Sequence, residues 1–457
     1  MKIKEGDVIM KKLISVLLII AIIFTCSGCS LDFFSVDSLI FPPTQSGKNG
    51  EVQKAFNNLM KDTKVQLKTP VAGEFQTSFV LKDVNNDEIE EAFVFYSDSS
   101  SVDSSVRVAF LECVDDEWCI VSDIKGAGNG VYDINFVDLN RDGMLEIFVT
   151  WSLLDSKTSQ IVSVFTISSV EKDVYTLDSL GNEYCNAKSF LDFNGDGLKD
   201  LVLIYLDDTS TVQKSYLRMF TLTKSRQLEK YGETVLDSAI SSISKIQSDV
   251  CNLNNKPLTR LFVDCVKNDR MIFTEMVYWD AVHKVPVKEF TEPSVSNLRN
   301  SILTCKDIDN DGLLEVPSST KLYGDEKTFN IKTDTDIYTL SLLIWNNVKG
   351  DDSVDAFTTL LNPFDYYLLH FNWGNKVTVK YDSLREALLF YKWNEEAKRA
   401  EKELFSIAYR KKLAENEILG DLLAETEKGV YYYQITEAGY SFGITDETLS
   451  SFFIKID

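Results

Sequence analysis

Hydrophobic positions along this chain fall mostly into short runs rich in β-branched and aromatic residues. Examples are IFVTW from Ile147, QIVSVFTIS from Gln160 and LVLIY from Leu201. Runs of this length, bounded by turn-forming stretches such as LLDSKTSQ from Leu153, read as strands. Between Asp138 and Leu191 the pattern gives four of them: LEIFVTW, QIVSVFTIS, DVYTLDSL and NAKSFLD. Helical spacing is confined to a few places. GEVQKAFNNLMKD near the start reads as a helix. SLREALLFYKWNEEAKRAEKE from Ser383 carries Leu384, Leu388, Leu389 and Trp393 at helical intervals, and ENEILGDLLAETEKG reads as a helix ending at Gly429. TDETLSS reads as a short capped turn, and YYLLHFNW, KVTVKYD, LFSIAYR and VYYYQIT read as strands.

Between the strands, one polar pattern recurs. It reads DVNNDEIEE from Asp83, DLNRDGMLE from Asp138, DFNGDGLKD from Asp192 and DIDNDGLLE from Asp307, and NLNNKPLTR from Asn252 keeps its outline without the acids. The starts at 83, 138, 192, 252 and 307 lie 55, 54, 60 and 55 residues apart. A fixed period of this size indicates an array of equivalent supersecondary units.

Each loop places oxygen donors at positions 1, 3, 5 and 9. These are Asp138, Asn140, Asp142 and Glu146; Asp192, Asn194, Asp196 and Asp200; and Asp307, Asp309, Asp311 and Glu315. The first loop offers Asp83, Asn85, Asp87 and Glu91, with Glu88 where the others have glycine at position 6. The carbonyls at position 7 (Met144, Leu198, Leu313 and Ile89) add a fifth oxygen. Glycine at position 6 permits the turn that points the donors inward. Such an oxygen-rich set suits Ca²⁺, with water completing its shell; Mg²⁺ rarely takes an all-protein cage. The EF-hand is excluded, because position 12 is Val149, Leu203 or Ser318 rather than an acid, and the flanks are strands. In the copy at Asn252, Lys256 and Arg260 replace the acids of positions 5 and 9, so a side-chain charge is expected to stand in for the ion there.

These residues resemble the calcium loops of the FG-GAP/VCBS repeat family, D-x-[DN]-x-D-G-x-x-[DE], over about residues 66–360. The resemblance implies a mainly β fold: a β-propeller of about five four-stranded blades with room for a sixth. The segment EFQTSFVLK before Asp83 would close the ring, and a solenoid is the competing architecture. The ions it implies are structural Ca²⁺, stapling blades together.

The front of the chain adds a location. Met10-Lys11-Lys12, an apolar run from Leu13 to Phe24, and small residues before Cys29 make a secretory leader too short for a membrane span. It looks like a bacterial lipoprotein signal, which predicts lipidation of Cys29 and anchoring at the extracytoplasmic face of the cell membrane. The expected organisation is a leader over 1–28, a tether over 29–48, the repeat region with its N-terminal helix over 49–363, and a separate C-terminal α+β domain over 364–457. Of the net charge of −23, residues 1–28 contribute +2 and residues 364–457 contribute −4, leaving −21 on residues 29–363. That sign repels nucleic acid.

Little points to catalysis. The two histidines, His283 and His370, lie in no recognised constellation, and there is no G-x-S-x-G, P-loop or G-x-G-x-x-G. The expectation is a binding or scaffold module for a protein or a polysaccharide. A propeller-based polysaccharide lyase or hydrolase, and a passive envelope component presenting the C-terminal domain, are the rivals. Trp151, Tyr205, Trp279 and Trp345 are candidates for stacking on sugars, with core or rim packing as the alternative. Cys113 and Cys119 flank VDDEW, which makes a disulfide across a hairpin conceivable, while Cys251 and Cys305 are expected as small core residues.

Overall fold

The computed structural model describes residues 47–455 apart from short stretches, among them 100–104, 154–158, 208–213, 291–296, 321–328, 348–353 and 412–419. Between 319 and 365 the backbone alone is described. The leader, Cys29, all but the last two residues of the tether, and the side chain of Trp345 therefore lie outside the described residues.

The molecule is mainly β, built from antiparallel sheets in chain order. In the first, Val65–Leu67 and Phe79–Lys82 lie end to end along Glu91–Asp98, followed by Arg107–Val114 and Glu117–Lys125. The second contains Gly130–Val137, Glu146–Ser152, Gln160–Glu171 and Val174–Cys185. The third contains Ala187–Leu191, Asp200–Asp207, Lys214–Leu222 and Leu228–Leu236. The fourth contains Ser242–Leu253, Lys256–Lys267, Met271–Asp280 and Val285–Lys288. The fifth runs Glu315–Thr320, Leu342–Asn347, Val354–Leu361, Tyr366–His370 and finally Phe453–Lys455 from the chain end. Its opening strand has shrunk to a single bridge between Lys306 and Glu315. The sixth orders Val377–Asp382, Ala387–Asn394, Arg399–Lys411, Gly429–Ile435 and Asp421–Glu425.

Successive strand residues point to opposite faces, and here both faces are buried. In the second sheet Ile147, Val149 and Trp151 join Phe93, Phe95 and Phe110 of the first, while Phe148, Val162 and Val164 join Leu201 and Leu203 of the third. Val202, Ile204 and Met219 then meet Leu261, Val263 and Phe273 of the fourth, whose other face gives Phe262 and Met276 to Cys305 and Val316. Each sheet is thus stacked on the next over its own hydrophobic cluster. This two-sided burial explains why the strands read as continuous apolar runs.

Helix α1, Lys48–Leu59, sits on the first sheet's remaining face. Val52 and Phe56 are fully buried against Phe79, Val94, Tyr96 and Leu111. The Phe56 ring meets Phe79 edge-on at 6.1 Å and Tyr96 at 5.4 Å. Burying side chains of this kind contributes about 1.5–3 kcal/mol each. That face is the one a closed ring would turn toward its last sheet. No closed ring is seen among the described residues.

The C-terminal segment departs most from the sequence pattern. The helix expected from Ser383 is a hairpin, Ala387–Asn394 against Arg399–Lys411. Leu388 and Phe390 enter one cluster and Ala387 and Leu389 another, so the run is two-sided strand, whereas Leu384, the first of the supposed helical positions, is 96% exposed in a turn. The described part of the second expected helix is the strand Asp421–Glu425, and Gly429 opens a strand rather than ending a helix. Two short helices do form. α2, Glu437–Phe442, is capped by the Thr436 hydroxyl and ends at Gly443 in the left-handed region; α3, Asp446–Phe452, has a capping box from Thr445 and Thr448 where TDETLSS predicted one. Val354–Leu361 and Tyr366–His370, on either side of the expected boundary at 363, pair as neighbouring strands. Among the described residues no helix is long and apolar enough to cross a membrane.

Candidate metal centres in the acidic loops

All four acidic loops lie where the sequence pattern puts them, in the hairpin between the first two strands of a unit. They share one conformation. The position-1 aspartate accepts the position-6 amide: Glu88 to Asp83 at 3.0 Å, Gly143 to Asp138 at 3.1 Å, Gly197 to Asp192 at 2.9 Å and Gly312 to Asp307 at 2.9 Å. The position-5 aspartate accepts the amide two residues on, from Ile89, Met144, Leu198 and Leu313, at 2.7–2.9 Å. Positions 4 and 6 take positive φ throughout: Asn86, Arg141, Gly195 and Asn310, then Glu88, Gly143, Gly197 and Gly312. Glu88 at φ 72° adopts the glycine conformation, so the first loop keeps the shape despite its departure from the pattern.

Position 9 carries the chemistry. Glu91, Glu146, Asp200 and Glu315 are buried, the last three completely. Each gives one carboxylate oxygen to the position-2 amide: Val84 at 2.8 Å, Leu139 at 2.9 Å, Phe193 at 3.0 Å and Ile308 at 3.0 Å. The other oxygen of Glu146 and of Glu315 is buried with no hydrogen-bond donor, as is Oδ1 of Asp138, whereas the Asp200 carboxylate has the Tyr231 hydroxyl beside it. A buried anionic oxygen without a donor is costly. A cation beside it removes that cost.

Burial is the main force on these carboxyls. With the loop's other carboxylates it outweighs the pull of the position-2 amide, holding Glu91 up at about 8 and Glu146 and Glu315 at about 7. Asp200 is pushed to about 6 by the same burial, with Asp196 adding to it. In the last loop Asp307, Asp309 and Glu315 bring carboxylate oxygens within 4.8 Å of one another. In the middle loops Asn140 and Asn194 replace that second acid, and their side-chain amides donate to Asp142 and Asp196.

Neighbouring loops touch in chain order. Leu145 donates to the Val84 carbonyl at 2.8 Å, and the Arg141 guanidinium lies beside Gly197. Thr259 donates to the Asp192 carbonyl at 2.9 Å, and Leu314 to Asp249 at 2.7 Å. The loops therefore line one edge of the stack.

The copy at Asn252 is a tight hairpin, with Leu253 paired to Lys256. Arg260, at position 9, is fully buried and donates through Nε to Asp249 at 2.7 Å and through Nη2 to the same carboxylate. Asp249 in turn holds the Leu314 amide of the next loop. A guanidinium thus occupies the place of the missing site and ties two sheets together; Lys256 is exposed and takes no part. Asp249 was not legible as its partner, since it lies outside the nine-residue pattern. Nor was Arg226, a turn residue of the third sheet, which reaches Asp142 at 2.7 Å.

The aromatic candidates pack. Trp151 is buried with its indole donating to Ser163 at 2.8 Å, and Trp279 meets Tyr231 edge-on at 5.3 Å. Tyr205 is half-buried beside Tyr184 and Arg218. His370 stacks on Trp373 at 4.3 Å, and His283 sits in an exposed turn with Asp280. Cys113 and Cys119 are not joined to each other: Cys113 opposes Trp118 and Cys119 opposes Glu112, so the two point to opposite faces of the hairpin. Cys251 and Cys305 are buried, as expected of small core residues.

No protein-family model matches this chain, and neither does any curated protein.

Proposed function

We propose that this chain is a calcium-stapled array of β-sheets of the FG-GAP/VCBS type, anchored through lipid on Cys29 at the extracytoplasmic face of a bacterial membrane, and that it serves as a binding or scaffold module for a protein or a polysaccharide. The observation that carries the cation reading is the pair of buried carboxylate oxygens at Glu146 and Glu315 that lack a donor. The donor set is all oxygen, which suits a hard cation of the Ca²⁺ class. Bound there, the ion neutralises the loop and links its first strand to its second.

Ring closure is the finer architectural reading. The repeat period and the constant loop register support it. The position of α1 on the outer face of the first sheet favours the competing open stack, with the helix as a terminal cap. We take the open stack as the working architecture.

A site filled at a hundred times its dissociation constant adds about 2.7 kcal/mol of stability. Calorimetric melting in CaCl₂ and in EDTA tests this directly: chelation lowers the melting temperature, and Asp311→Ala diminishes the difference. Superimposable melting curves in the two buffers remove the cation from the account.

A further inference from the structure

The opening strands of the second, third and fourth sheets face a common polar cleft of about 420 Å³, away from the groups discussed so far. Its floor is an ion pair. Lys188 Nζ donates to both Asp133 oxygens at 2.6 Å and to Thr150 at 2.8 Å, and the two charged side chains are only 9% and 11% exposed. The pair cancels its own charge, and the only other ionic group on the lining is Lys245 at the exposed rim.

Above the floor the cleft presents unused hydrogen-bonding groups. The Asn135 Oδ1 atom is buried and has no donor. Asn186 spends its oxygen on the Leu206 amide at 2.8 Å, leaving both protons of its side-chain nitrogen unspent among the described residues. Gln160 stands on the lining at the start of its strand, and neither end of its side-chain amide has a hydrogen-bond partner among the described residues. Both long walls are bulged at the cleft. The register slips between Val131 and Asp133, which extrudes Tyr132, and between Ile243 and Lys245, which extrudes Ser244. Bulges re-aim side chains and concentrate beside sites. Tyr132 is 36% exposed and is one of the lining residues.

We propose that this cleft binds a glycan. Side-chain amides that both donate and accept match the vicinal hydroxyls of a sugar, and the extruded Tyr132 offers a ring face for its apolar side. The neutral floor and the acidic molecule around it disfavour a phosphate or other multiply charged anion. This deepens the polysaccharide branch of the function proposed above and rests on that reading.

The test applies the full chain, in CaCl₂, to an array of soluble neutral and uronate oligosaccharides, then titrates a bound one calorimetrically into Tyr132→Ala, Asn135→Ala and Gln160→Ala. Binding by the parent protein and a loss of roughly tenfold or more in each variant are expected. Melting temperatures should stay at the parent value, because Asn135 Oδ1 and Gln160 support no hydrogen bond of the fold; a purely structural role would lower them. Variants that bind as tightly as the parent overturn the cleft while leaving a glycan-binding module. A parent protein that melts with full Ca²⁺ dependence yet binds no oligosaccharide also overturns the cleft, and leaves the protein-binding branch standing.

Discussion

At the scale of single residues, the loops show which features a cation requires and which it tolerates. Glu88 occupies a left-handed conformation that costs a non-glycine residue about 1–2 kcal/mol. Glu88→Gly should therefore stabilise the protein by about 1 kcal/mol, seen as a higher urea midpoint at an unchanged slope. The position-9 acids make a second prediction, about pH. Their folded pKa values lie above the unfolded carboxyl value, with Glu91 at about 8 and Glu146 and Glu315 at about 7. The folded state therefore holds more protons than the unfolded state between the two values, and stability falls as pH rises through that window. In EDTA the melting temperature should drop between about pH 5 and pH 8. Saturating Ca²⁺ should flatten or reverse that slope, because the ion takes the place of the protons. Differential scanning fluorimetry across the range, with and without chelator, reads both slopes. The loop positions were legible in the sequence because each ligand type sits at a fixed offset. The lack of a donor at one oxygen of Glu146 and of Glu315 was not, since it depends on burial by the following strand.

At the scale of elements, the fourth sheet shows how a unit persists without its acidic loop. Arg260 and Asp249 are both buried, and removing one partner strands the other charge. Asp249→Ala should cost about 3–5 kcal/mol, whereas replacing both with apolar residues of similar volume should cost much less. Chemical denaturation of the two variants separates these outcomes. Helix α1 gives a parallel case: Phe56→Ala should destabilise by about 3–5 kcal/mol, measured the same way, because its ring is enclosed by the first sheet. The pattern of the chain announced α1 and most strands, since β-branched runs of this length leave little choice. It misread the region after Ser383. There the apolar run Ala387–Phe390 is buried on both faces, which erases the alternation that marks a strand, and Leu384 and Trp393 fall by chance at helical intervals. Tertiary burial decided what local spacing left open.

At the scale of the whole molecule, one period in the sequence became one sheet in the stack, and each interface acquired a separate hydrophobic cluster. Stability in such an assembly is approximately a sum of unit and nearest-neighbour terms. Damage in one loop should accordingly soften its own sheet and the two beside it. Hydrogen exchange on Asp196→Ala checks this: protection should fall in the third sheet and its neighbours, and remain at the parent level in the sixth. The spacing announced about five units and left a sixth open. Whether the row bends into a ring was not readable, because closure depends on what covers the first sheet's outer face, and α1 carries no mark in its sequence of where it docks.

The return of Phe453–Lys455 to the fifth sheet, where it lies alongside Tyr366–His370, bears on the order of assembly during synthesis. The first four sheets have all of their described strands once their own stretch of chain has been made, but the fifth receives Phe453–Lys455 only after the whole of the sixth has been synthesised. Until it arrives, the outer side of Tyr366–His370 is an unpaired edge open to other chains, so this late strand is what seals the sheet against its own kind.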